Sequence, residues 1–112
     1  MEDYRVLPDE EFKNELAKLP GWAVDSGKLA KKFHFSGFTT AASFIHNHIS
    51  RVANELYHHP DVHLTSYRVL KVETVTHDVG SKFTQYDIWL AKGIQEAYDK
   101  LPESDKKFDP KA

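Results

Sequence analysis

The chain has 112 residues, with 15 Lys+Arg against 17 Asp+Glu and a formal net charge of −2. That balance argues against a free-standing nucleic-acid binder, which carries a basic excess or stripe. With 40% apolar and 12% aromatic residues a disordered chain is excluded, and with no cysteine so are disulfides, Cys-ligated zinc and thiol catalysis.

The length fits one domain over 1–112. No apolar run approaches the ~20 residues of a membrane span. The acidic start Met1-Glu2-Asp3-Tyr4-Arg5 lacks an apolar signal core, so a cytoplasmic location is expected.

Pro8-Asp9-Glu10-Glu11 places a proline and acids where a helix begins. Phe12, Leu16 and Leu19 follow at helical spacing and Pro20-Gly21 stops the run, which predicts a helix over 9–19. Trp22-Ala23-Val24 is short and extended, and Ser26-Gly27 reads as a hairpin turn. Leu29 to Phe35 follows as the second strand of the hairpin. Phe38-Thr39-Thr40 opens the longest helix, whose stripe is Ala41, Phe44, Ile45, His48, Ile49, Val52, Ala53 and Leu56. That helix must end near Tyr57, because His59 precedes Pro60. Val62-His63-Leu64 is a short strand, and Tyr67 to His77 a longer one rich in β-branched residues. Thr84-Gln85-Tyr86-Asp87 has the form of a capping box with Phe83 as hydrophobic staple. Ile88, Ala91, Ile94, Gln95 and Tyr98 mark the last helix, and 102–112 is expected to fray.

The expected order is α-β-β-α-β-β-α. It implies an α+β fold, with a four-stranded antiparallel sheet and three helices packed on one face. The open sheet edges make an edge-to-edge dimer reasonable.

Seven histidines are the compositional excess. His58-His59-Pro60 lies at a helix-to-strand junction and His77 where a strand meets a loop. Imidazoles titrate near neutrality, so such a group could protonate a leaving hydroxyl and deprotonate a nearby nitrogen. Two plainer readings stand beside this one. The His-His pair can be solvated surface, and Asp87 can serve only the helix start. A metal reading would draw on His46, His48, His58, His59 and His63. However, His46 and His48 point to different helix faces, and adjacent histidines seldom chelate one ion.

His58-His59-Pro60, six residues to Tyr67, nine more to His77 and nine more to Asp87 resembles the signature of the pterin-4a-carbinolamine dehydratase family. Gly21-Trp22, Phe33-His34-Phe35 and Thr76-His77-Asp78 add to the likeness, which covers roughly 9–100. The resemblance implies the same α-β-β-α-β-β-α fold, in homodimers or homotetramers. The reaction it implies is loss of water from 4a-hydroxytetrahydrobiopterin to quinonoid dihydrobiopterin, which recycles tetrahydrobiopterin, with no metal and no organic cofactor. His58 and His77 would then be the acid–base pair and His59 would bind and orient the pterin. Tyr57, Val75, Thr76, Asp78 and Asp87 would complete the substrate site. A second role is implied as a dimerisation cofactor for a homeodomain transcription factor, which would add a nuclear location. Neither nucleic acid nor membrane is an expected partner. The chain departs from the family pattern at Asn54, where an acid is usual, and at Val62, where a tryptophan is common. It also carries one extra residue before Tyr67 and another between His77 and Asp87.

Overall fold

The structure, a computed structural model, describes residues 2–112. Its elements follow the expected order: α1 (Asp9–Leu16), β1 (Ala23–Asp25), β2 (Lys28–His34), a long helix α2 over 38–56, β3 (Asp61–Thr65), β4 (Val69–Thr74) and α3 (Gln85–Asp99). The strands form one antiparallel sheet in the order β1-β2-β4-β3. β1 and β3 are its edges.

Alternation along the strands separates two faces. Leu29, Phe33, Leu70 and Val72 are buried beneath the helices. Phe33, Phe35 and Phe44 gather around Tyr98, with ring centroids 4.8–5.9 Å from it. Full burial of each such phenylalanine stabilises by about 1.5–3 kcal/mol. The opposite face is charged. Lys28 pairs with Asp61 at 2.8 Å, and Lys71 with Asp25 at 2.7 Å.

Four details differ from the sequence reading. The second long strand is shorter than Tyr67–His77. Ser66 and Tyr67 take positive φ of 48° and 50° and form the hairpin turn instead, leaving β4 to begin at Val69. The middle of α2, Ile45–Ile49, is π-helical. Its core contacts therefore step five residues, from Phe44 to Ile49, before resuming at Val52 and Ala53. Phe83 stacks on Phe12 at 4.4 Å, fastening the start of α3 to α1. Finally, the tail expected to fray is hydrogen-bonded. The Ser36 amide donates to the Asp105 carbonyl at 2.7 Å, and the Asp109 amide donates to the Ser36 carbonyl at 2.9 Å. Arg68 also lies over the Phe108 ring at 4.3 Å. Glycine is required at position 37, because a Cβ there would stand 2.7 Å from the Ala112 carbonyl oxygen.

Candidate active site

The end of α2 delivers the histidine pair. Tyr57 adopts the left-handed region (φ 51°, ψ 36°), and the amide of His58 returns to the carbonyl of Ala53 at 3.1 Å. This closes the helix in the manner of a Schellman turn without the usual glycine. The chain reverses at once, and Pro60 leads into β3. The pairing of Asp61 with Glu73, carried back along the chain, runs His58 and His59 alongside the end of β4. Thr76 and His77 follow that end directly.

α3 supplies the acid. Thr84 caps the helix, and Asp87 three residues on bonds back to the Thr84 amide at 2.9 Å. Asp87 is also the hub of a buried cluster. Its Oδ1 accepts from Thr74 Oγ1 at 2.6 Å and from His58 Nε2 at 2.8 Å. Its Oδ2 accepts from Thr76 Oγ1 at 2.8 Å as well as from the Thr84 amide. The Thr76 proton is committed to the carboxylate. Thr84 Oγ1, 2.8 Å away, must therefore donate to the Thr76 oxygen. The Asp87 side chain is 0% exposed and that of His58 8%.

Burial pushes the Asp87 carboxyl up. The hydrogen bonds from His58, Thr74, the Thr84 amide and Thr76 outweigh it and hold the group below its usual range. A carboxylate only accepts, so His58 presents Nε2–H to it and Nδ1 is the nitrogen left for chemistry. The N-terminal segment braces this cluster from outside. The Leu7 amide donates to the Phe83 carbonyl at 2.9 Å, and the Gln85 side chain bonds Arg5 and Asp3 at 2.8 and 2.7 Å.

His59 and His77 are exposed. His59 Nε2 lies 3.0 Å from Asn54 Oδ1, and His77 Nδ1 lies 3.4 Å from Ser81 Oγ. The Asp61 carboxyl is lowered chiefly by the hydrogen bond from Lys28, against the opposing effect of partial burial. Of the other expected residues, Val75 and Thr76 are buried and Thr76 spends its hydroxyl on Asp87. Asp78 is exposed and accepts from the Tyr4 hydroxyl at 3.1 Å. Tyr57 is 75% exposed and lines a recess of about 250 Å³ with Leu56, Tyr86 and Trp89. Five recesses of about 60–350 Å³ are lined by other residues and by none of these three histidines. Among the described residues no three His, Asp or Glu side chains converge as metal ligands.

Sequence reasoning did not single out Thr74, and it named Thr84 only as a helix cap and Asn54 only as a departure from the family pattern. Thr74 and Thr76 continue the two-residue alternation of Leu70 and Val72. That alternation places them on the core face, where each hydroxyl needs a partner.

Residues 5–97 match the family model described as pterin 4 alpha carbinolamine dehydratase. A relative from Aquifex aeolicus is 38% identical over 92 residues, covering 82% of this chain and 90% of its own. One from Sulfurisphaera tokodaii is 37% identical over 92 residues, covering 82% and 96%. Both carry pterin-4-alpha-carbinolamine dehydratase as a provisional name. A crystal structure from Brucella melitensis, described as a transcriptional coactivator/pterin dehydratase, superposes with a TM-score of 0.75 at 28% identity, covering 84% of this chain and 99% of that one. The chain belongs to the pterin 4 alpha carbinolamine dehydratase family, and it is a hydro-lyase.

Proposed function

We propose that this chain dehydrates 4a-hydroxytetrahydrobiopterin to quinonoid dihydrobiopterin and so recycles tetrahydrobiopterin. The observation that carries this reading is the buried His58–Asp87 pair at 2.8 Å, with His59 next to it in the chain and His77 following Thr76, whose hydroxyl bonds the same carboxylate. The substrate bears a hydroxyl on C4a next to the N5–H. As the C4a–O bond breaks, a proton must reach the oxygen. The N5 proton leaves, and its electron pair forms the C4a=N5 bond. Water and the quinonoid ring account for every atom. His58, turned by Asp87 so that Nδ1 is the exchanging nitrogen, and His77 serve as the acid–base pair. His59 binds and orients the ring. Acid–base assistance of this kind contributes on the order of 10²–10⁴-fold in rate.

Stopped-flow dehydration of freshly generated 4a-hydroxypterin tests the assignment. His58→Gln, which can still donate to Asp87, and His77→Ala should each lower the rate at least about tenfold with circular dichroism unchanged. Full activity in both would overturn the acid–base roles.

The reading extends to assembly as a homodimer or homotetramer, with the edge strands β1 and β3 as joining surfaces, and to a cytoplasmic location. No helix among the described residues is long and apolar enough to cross a membrane. The Brucella neighbour's description as a transcriptional coactivator favours a second role, in which a partner helix docks on α2. Co-purification of a transcription factor, lost on substitution of the exposed face of α2, is the expected result.

A further inference from the structure

His58 and His59 are adjacent in sequence, yet their partners differ in charge. The first meets the carboxylate of Asp87, while the second meets the side-chain amide of Asn54 at 3.0 Å. The contact is built by the helix ending. Asn54 uses its backbone carbonyl to receive the Tyr57 amide at 3.4 Å, and the left-handed Tyr57 turns the chain so that His59 lies back over the Asn54 side chain. The neighbouring acid, Glu55, does not take that place. It faces Arg51 at 3.7 Å and lines the recess with Tyr57 and Trp89.

We infer that Asn54 is a positioning residue for the reaction, fixing the uncharged form of the His59 ring in the Nε2–H tautomer, with Nδ1 bare as acceptor for a ring N–H of the substrate. The amide carbonyl accepts from Nε2–H and cannot donate to a bare nitrogen, so the uncharged ring keeps its proton on Nε2 and leaves Nδ1 free. Such a ring offers one acceptor and no donor on its free side. It discriminates for a heterocycle that presents N–H there and against one that presents a lone pair, whose encounter would leave two acceptors face to face. This inference rests on the pterin reading for its substrate, while the ring state of His59 stands apart from it.

The test uses the full chain with ¹⁵N in the histidine rings. In alkaline buffer, two-bond and three-bond ¹H–¹⁵N correlations should assign His59 to the Nε2–H tautomer. Asn54→Ala should move its ring-nitrogen shifts toward a mixed population. The same variant should raise KM for the 4a-hydroxypterin about threefold to tenfold, as loss of one orienting hydrogen bond predicts, with kcat changed less than twofold. Asn54→Asp keeps an acceptor at the same reach and should restore the tautomer in alkaline buffer, and with it KM measured at that pH, where the ring is uncharged. A purely structural role for Asn54 would move neither the shifts nor KM selectively. Unchanged shifts in Asn54→Ala, an unchanged KM, or failure of Asn54→Asp to rescue would each overturn the inference. Absence of dehydration by the unmodified chain would instead remove the pterin reading, and the ring-nitrogen shifts would still decide the Asn54–His59 bond.

Discussion

Two histidine–carboxylate pairs in this molecule have nearly the same length and opposite surroundings. His58 meets Asp87 at 2.8 Å between side chains 8% and 0% exposed. His63 meets Glu73 at 2.6 Å on the other face of the sheet, where the Glu73 side chain is 10% exposed but its histidine partner is 54% exposed. Around Asp87 every neighbour is a donor aimed at the carboxylate. Around Glu73 stands a ladder of mutually compensating charges, in which Lys71 lies 3.6 Å from Glu73 and 2.7 Å from Asp25. Distance does not separate the two pairs. Access of water does, since screening and competing hydration reduce an exposed pair to a small net contribution. A desolvated carboxylate depends on each of its donors. The buried pair can hold one imidazole in one orientation, whereas the second pair leaves its imidazole open to water.

Removing the hub should have the largest effect. Asp87→Ala strands the donors of His58, Thr74, Thr76 and the Thr84 amide, and should cost about 3–5 kcal/mol in chemical denaturation. A loss below 1 kcal/mol would show the cluster to be hydrated. Acid should then separate the pairs. The Asp87 carboxyl lies below its ordinary value of 3.8 when folded, so its stabilisation is complete above that pH and is lost as pH falls through the lower folded value. Comparing unfolding against pH in the native chain and in Asp87→Asn, the native curve should fall more steeply below that value. Equal slopes would count against the buried carboxylate. Relief of backbone strain comes next in size. Tyr57→Gly at φ 51° should gain up to about 1 kcal/mol in thermal unfolding, because glycine occupies the left-handed region without penalty. The smallest change is expected at the second pair. Glu73→Gln should cost about 0.2–1 kcal/mol, and the difference should shrink as salt is added.

Much of this was legible along the chain. The breaks at Pro20-Gly21, Ser26-Gly27 and Pro60 are local, and so are the apolar steps of the helices, so the element order follows from them. The Thr84-x-x-Asp87 step announced a helix start, and His58-His59-Pro60 with His77 announced a site. Other features were not local. Nothing near Thr74 says that its hydroxyl meets a residue 13 positions on, and the capping geometry of Asp87 said nothing of a histidine 29 positions back. The π-turn of α2 shifts its core contacts from Phe44 to Ile49, and the tail is held by backbone bonds to Ser36 that no side-chain pattern encodes.

What the amino-acid order by itself determined, then, was the list of elements, the faces they bury and the residue types able to move a proton. Those follow from short-range sterics and periodicity. Tertiary structure alone decided which imidazole is buried against a carboxylate and which stands in water beside an amide. It did so because strand register and the reversal at Tyr57 bring distant groups within hydrogen-bonding reach, and that proximity is a property of the folded chain.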